Sequence, residues 1–148
     1  MQDCKAVYDS VAKVDAGAVS FSSVIQPLLN VDSDSAHRGV ALQMPGMVAT
    51  EKAFRDASSD AEKMLEEFEV EMSMRKDVFD NILAFSKSDE AKSLSPEMKR
   101  YVEKQVNDGM RNGLHLDGAK RDKIKAVKKW ISELGVEFNR NLNKDTTF

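Results

Sequence analysis

The stretch from Thr50 to Phe85 constrains the fold most, because it contains neither proline nor glycine. Its apolar residues recur every three or four positions and keep one face of a helix apolar over about six turns. They are Ala61, Met64, Leu65, Phe68, Met72, Phe79, Ile82 and Leu83. A continuous helix of this extent would be about 54 Å long. The sequence predicts either an elongated helical hairpin or a shallow break near Ala57, Ser58 and Ser59.

Two further helices are predicted after a polar connection. Ser95 can cap the first, and Gly113 is placed to end it. The second begins at Asp117, and its apolar seam alternates between spacings of three and four, which is typical of an antiparallel pair or bundle. The seam comprises Ile124, Val127, Ile131, Leu134 and Phe138. We therefore expect an all-α fold, an elongated bundle in which long helices at about Thr50–Ser86 and Asp117–Asn143 pack antiparallel, with the Ser95–Gly113 helix between or beside them.

The first 49 residues are predicted to form shorter helical pieces. Ser20 can cap one of these, and Pro27 lies inside its apolar stripe, so that helix either starts near Val24 or is kinked. The Asp- and Ser-rich residues 30–39 predict a loop, and the Met-Pro-Gly-Met run at 44–47 predicts another break. The whole chain is predicted as one helical domain, residues 1–148, with short helices in 1–49 and a long-helix bundle in 50–148.

Arg75 falls on the apolar seam of the predicted long helix. Either its aliphatic stem is buried while the head group reaches water, or the guanidinium pairs with a carboxylate from a neighbouring helix. The sequence alone leaves both alternatives open.

Composition limits the classes of partner and the cellular compartment that we expect for this chain. The net charge is −3 and basic residues are interleaved with acidic ones, so nucleic acid is not an expected partner. No apolar run approaches the roughly 20 residues of a membrane span. The single cysteine, Cys4, excludes an intramolecular disulfide and predicts a free thiol. No signal peptide is recognisable at the start, so we expect a soluble cytoplasmic protein, or a mitochondrial one if a leader has been removed.

No residue pattern predicts catalysis or metal binding. The two histidines, His37 and His115, stand far apart, and the zinc-peptidase signature His-Glu-x-x-His does not occur. Adjacent carboxylates such as Glu66 and Glu67 are predicted at a helix surface, without an apolar pocket to raise their pKa. Most methionines are expected in the core, whereas Met74 lies off the main stripe and is a candidate for a second interface. We therefore assign no catalytic, cofactor-binding or metal-binding residue to this chain.

Several segments taken together resemble one known family, although each alone is weak. They are Ala57-Ser58-Ser59-Asp60-Ala61, Glu71 to Phe79, Arg100 to Lys104, Arg111 to Leu116, and Phe138 to Phe148. In these residues the chain resembles the N-terminal helical region of the thimet oligopeptidase and neurolysin zinc peptidases. In that family such helices form one wall of a deep channel over the zinc site, which restricts the enzyme to short peptides.

The resemblance implies part of a zinc metalloendopeptidase, an oligopeptidase acting on short peptides, here without its catalytic domain. Zinc would then be the cofactor of the parent enzyme and not of this chain, which should be inactive alone. The implied partner is the missing catalytic portion or, through self-association, a second copy. Residues that such a partner would cover are expected to be exposed, namely Phe54, Met74, Val78, Trp130 and Phe148. The alternatives are a stand-alone helical interaction module that has lost the peptidase chemistry, and an unrelated helical bundle.

Overall fold

A computed structural model describes residues 1–144, with the backbone alone for residues 143 and 144. In this range the chain forms α1 (Gln2–Ala12), α2 (Gln26–Val48), α3 (Lys52–Ser73), α4 (Lys76–Ser86), α5 (Asp89–Ser93), α6 (Pro96–Arg111) and α7 (Gly118–Lys144). A 3-10 turn at Ala16–Ala18 and a π-helical segment at Phe21–Ile25 join α1 to α2. Residues 1–144 contain no β-strand, so the all-α prediction is confirmed.

The core lies among α1, the π-helical segment, the start of α2, and helices α4, α5 and α6. Its buried residues are Val11, Val24, Ile25, Leu28, Val78, Ile82, Phe85, Ala91 and Val102. The rings of Phe21 and Phe85 pack against each other at a centroid distance of 6.3 Å. None of these residues comes from positions 29–77 or from α7. The layer formed by α2, α3 and α7 therefore depends mainly on contacts between those three helices.

Helices α2 and α3 form an antiparallel hairpin. The backbone of Gly39 faces Leu65. About two turns further along α2, the backbone of Gly46 faces Ser58 near the start of α3. A Cβ atom at Gly46 would lie 3.1 Å from the Ser58 hydroxyl oxygen, so the missing side chain allows the two helices to approach closely here.

Helix α7 packs against the other side of α3, also antiparallel. Ser132 Oγ donates a hydrogen bond to Glu66 Oε2 at 2.7 Å, and Arg140 Nη2 lies 3.7 Å from Asp60 Oδ1. Residue numbers rise along α7 as those of their partners fall along α3. The prediction of long antiparallel helices is confirmed for this pair.

Helix α2 is one helix of 23 residues, so the predicted loop at 30–39 and the predicted break at 44–47 are both wrong. Its polar first half is stabilised by α6. Asp32 Oδ2 accepts hydrogen bonds from the Tyr101 hydroxyl at 2.8 Å and from Gln105 Nε2 at 3.0 Å. Tertiary contacts thus outweigh the low helix propensity of the Asp- and Ser-rich sequence.

Pro45 lies inside α2 without ending it. Proline has no backbone N–H to donate, so it weakens the hydrogen bonding of the preceding turn. The carbonyl that loses this donor is that of Ala41. The Ser58 hydroxyl of α3 donates to the adjacent carbonyl of Leu42 at 2.5 Å, with the Gln43 carbonyl oxygen at 3.2 Å, which holds this turn against α3. The expectation of only short helices before residue 50 is therefore wrong, since α2 continues through Pro45 to Val48.

The predicted long helix at Thr50–Ser86 is broken at Met74–Arg75, and not near residues 57–59. The end of α3 is held by side chains from two other elements. Asn112 Nδ2 donates to the Ser73 carbonyl at 3.2 Å, and Lys128 Nζ bridges Ser73 Oγ at 3.2 Å and Asn112 Oδ1 at 2.7 Å. Arg75 adopts an extended conformation and begins α4, which runs in a new direction into the core.

The predicted helix signals at Ser20, Ser95, Gly113 and Asp117 are confirmed, although the polar connection predicted before Ser95 contains the short helix α5. Ser20 forms a capping box with Ser23 at the π-helical segment, and α2 follows with Pro27 in its first turn. Ser95 Oγ accepts from the backbone of α6, whose C-terminus is closed by Gly113 at a φ of 71°. Asp117 accepts from the backbone N–H of Lys120 at 2.9 Å in the first turn of α7.

Candidate functional site

The most distinctive surface of the chain is an exposed apolar face on α7. We call it the α7 stripe; it comprises Val127, Trp130, Ile131, Leu134, Phe138 and Leu142, whose side chains are 46–67% exposed. The opposite side of α7, with Lys128, Ser132 and Arg140, contacts α3. The predicted apolar seam therefore exists, but apart from the half-buried Ile124 it is exposed, so the expectation that it packs in the antiparallel pair is wrong for Val127, Ile131, Leu134 and Phe138.

A second exposed apolar face lies on α2. We call it the α2 stripe; it comprises Val40, Met44, Met47 and Val48, which are 58–73% exposed and follow helical spacing. On α3, Phe54 and Met64 are also exposed. Single exposed apolar residues are ordinary, whereas faces of this kind mark interaction surfaces.

The five residues that we expect to be exposed differ in their observed exposure. Phe54 and Trp130 are exposed, at 63% and 62%, as predicted. Met74 is half-buried at the break between α3 and α4. Val78 is buried at 3%, so this prediction is wrong, since the break turns α4 into the core. Phe148 lies outside the described residues.

The methionines are less buried than predicted. Met72 is buried in α3 and Met98 is half-buried in α6. Met64 and Met110, by contrast, are 57% and 42% exposed. The apolar spacing indicated which face each occupies, but a helical face can lie at the edge of the packed region.

A groove of about 1220 Å³, with a mostly apolar surface, lies between α1, α2, α3 and α6. At its centre, burial raises the pKa of the Asp32 carboxyl, while the hydrogen bonds from Tyr101 and Gln105 act in the opposite direction. Burial likewise raises the pKa of Tyr8 to about 12 and that of Tyr101 above its usual range. Both phenols stay protonated at neutral pH, so Tyr101 can donate its hydrogen bond to Asp32 and connect α6 to α2.

Arg75 lies at the edge of the groove and is 20% exposed. Its guanidinium binds Asp9 of α1, with Nη1 2.7 Å from Oδ1, and also Asp77 of α4, with Nη2 2.8 Å from Oδ2. Of the two alternatives left open by the sequence, pairing with a neighbouring carboxylate is the one observed.

The residues that zinc chemistry would need are not assembled in the described part of the chain. Within residues 1–144, no three His, Cys, Asp or Glu side chains form a group that could hold a metal ion. His37 Nδ1 is 2.8 Å from the carbonyl oxygen of Ser33 in its own helix, and His115 is exposed in the turn before α7. The Cys4 thiol is 3.7 Å from the Ser35 hydroxyl. This donor set does not fit a catalytic zinc ion, which needs three protein ligands around an open position.

The length and polarity of a helix decide whether it can cross a membrane. None of the helices within the described residues is long and apolar enough to cross a bilayer.

Comparison with known proteins links this helical region to peptidases. No protein-family model matches the chain. Saccharolysin of Saccharomyces cerevisiae is 32% identical over 146 residues, which cover 95% of this chain and 20% of that protein. A probable thimet oligopeptidase of Arabidopsis thaliana is 30% identical over 141 residues, with 95% and 20% covered. A thimet-like oligopeptidase of Dictyostelium discoideum is 30% identical over 102 residues, with 67% and 15% covered. The chain thus spans about a fifth of the length of the curated relatives it matches most fully.

Proposed function

Because the chain belongs to the family of saccharolysin and the thimet oligopeptidases, we propose that it is the N-terminal helical region of a zinc-dependent oligopeptidase. In the complete enzyme it forms one wall of the channel that leads short peptides to the zinc site. The zinc ligands and the general base belong to the catalytic portion. The similarity over 95% of this chain is the observation that carries the proposal.

The role of this region is steric, and its own residues do no chemistry. The antiparallel layer of α2, α3 and α7 supplies a stiff wall, and the catalytic portion covers exposed apolar residues of the α2 and α7 stripes. Their exposure supports this assignment, since fully burying a Val, Leu, Ile, Phe or Met side chain is worth about 1.5–3 kcal/mol. We also propose a cytoplasmic location, supported by the free thiol of Cys4.

A hybrid enzyme tests the proposal. The segment of saccharolysin that matches this chain is replaced by residues 1–148, and cleavage of a quenched short peptide is measured with and without a chelator. We expect chelator-sensitive turnover from the hybrid and none from residues 1–148 alone. Introducing Ile131→Asp and Phe138→Asp into the hybrid should lower the activity at least tenfold, because charges would enter the covered surface. The exposed Lys125→Ala serves as the matched control on α7 and should leave activity unchanged.

A correctly folded hybrid without peptidase activity would overturn the proposal. The stand-alone interaction module would then be the better description, although the peptidase names of the relatives do not favour it.

A further inference from the structure

The α7 stripe has the properties of a helix-pairing surface. Its six apolar residues extend over about four turns of one continuous helix and lie on the side turned away from α3. No described residue covers them to the extent found in the core. A face of this length and spacing suits a second helix packed along it.

The charges beside the α7 stripe indicate which second helix fits. Lys123 and Glu137 are both exposed and lie about four helical turns apart, so they occupy the same edge of the stripe. One end of this edge is therefore positive and the other negative. Two such edges complement each other when the helices run antiparallel. A parallel pair would instead bring opposite edges of the two helices together, so Lys123 and Glu137 would not meet.

We propose that the α7 stripe is self-complementary and that residues 1–148 form a two-fold symmetric dimer through antiparallel α7 helices. The axis passes close to Trp130 and Ile131, so that Val127 packs against the partner's Leu134, and Trp130, which lies on the same edge as Lys123, packs against the partner's Trp130. Lys123 then faces the partner's Glu137, and symmetry repeats the same ion pair on the other side.

This dimer goes beyond the proposed function, because it concerns the chain when no catalytic portion covers α7. The same surface cannot serve both contacts at once. Dimerisation and assembly into a complete peptidase are therefore mutually exclusive states of one helix face.

Sedimentation equilibrium of residues 1–148 at several concentrations tests the dimer. We expect a reversible monomer–dimer equilibrium, weakened at least tenfold by Ile131→Asp. The matched control is Met47→Asp on the α2 stripe, which should leave the equilibrium unchanged. Both positions are already exposed, at 61% and 73%, so neither substitution should unfold the chain, and circular dichroism verifies this.

Charge reversal tests the orientation. Lys123→Glu and Glu137→Lys should each weaken the dimer, and the double variant should restore it. In a Cys4→Ser background, a mixture of Val127→Cys and Leu134→Cys chains should form the mixed disulfide faster than either chain forms a disulfide with itself.

A strictly monomeric wild-type chain would overturn the proposal. So would a dimer that is lost with Met47→Asp but not with Ile131→Asp, or preferential Val127→Cys self-pairing, which indicates parallel helices. These outcomes are independent of the hybrid enzyme, where the stripe is covered and turnover is the readout.

Discussion

Arg75 Nη1 lies 2.7 Å from Asp9 Oδ1, and this ion pair connects α1 to the point where α3 ends and α4 begins. The same guanidinium binds Asp77, the second residue of α4. A single side chain therefore holds the break in the predicted long helix against the first helix of the chain.

Replacing Arg75 by leucine should destabilise the chain. The substitution leaves Asp9 and Asp77 without their common partner, and we expect a loss of about 1–3 kcal/mol in the free energy of unfolding. Urea denaturation measures it. Lys76→Ala is the control, because Lys76 pairs with Asp80 at an exposed position and should cost less than about 0.5 kcal/mol. Equal effects of the two substitutions would contradict the structural role of Arg75.

Asp77 should contribute a pH-dependent part of the stability. The hydrogen bond from Arg75 lowers the pKa of the Asp77 carboxyl below its usual value of 3.8. Folding therefore favours the ionised form, so the contribution is fully present above about pH 5 and is lost as the pH falls through 3.8 towards the folded pKa. Because Asp77 is half exposed, we expect less than about 1 kcal/mol.

This contribution can be isolated by comparing wild type with Asp77→Asn from pH 7 to pH 2.5. The stability difference should shrink as the pH falls. In an Arg75→Leu background it should be small at every pH, since Arg75 is the main cause of the lowered pKa. A stability difference that grows on acidification would show that folding raises the pKa of Asp77 and does not lower it.

Two glycines in helices should respond to alanine in opposite directions. A Cβ atom at Gly109 would lie 2.2 Å from the Phe79 ring, so Gly109→Ala should cost about 1–3 kcal/mol through overpacking. A Cβ at Gly135 would meet no atom within 4 Å, and Gly135→Ala should stabilise α7 by about 0.5–1 kcal/mol. Thermal unfolding of both variants checks the pair. A stabilising Gly109→Ala would mean that α4 and α6 are not in close contact.

The purified chain should neither bind zinc tightly nor cleave peptides. Two separated histidines and one cysteine cannot form a site with three protein ligands and an open position. Zinc titration and a quenched-peptide assay test this, with His37→Ala and His115→Ala as controls. Stoichiometric zinc binding at submicromolar concentration, or turnover that a chelator abolishes, would be the contrary result.

The sequence predicts helix ends well where a local signal defines them. Ser95, Gly113 and Asp117 act within a few residues of their own position. Helix α6 begins and ends, and α7 begins, where these residues indicate. The continuity of α2 could not be foreseen, because it depends on Ser58 and Tyr101, which are distant in sequence.

The break after α3 could not be predicted from the sequence, for a different reason. Met72 and Phe79 continue the same apolar spacing across it, and both are buried. The break is stabilised by partners distant in sequence, since Arg75 contacts Asp9 and Asn112 hydrogen-bonds to Ser73 at the end of α3. Similarly, the spacing of Ile131 and Phe138 predicts an apolar face but cannot tell whether another element covers it.

The open α7 stripe has a consequence for synthesis on the ribosome. The described contacts of α7 with α3 lie within the first 142 residues, so this region can fold before later segments of a full-length relative have emerged. At about 5–20 residues per second, the part of a protein such as saccharolysin that follows this segment, up to four-fifths of its length, takes on the order of a minute to translate. During that interval the nascent chain would have a folded helix with an exposed apolar surface, the type of surface that chaperones bind.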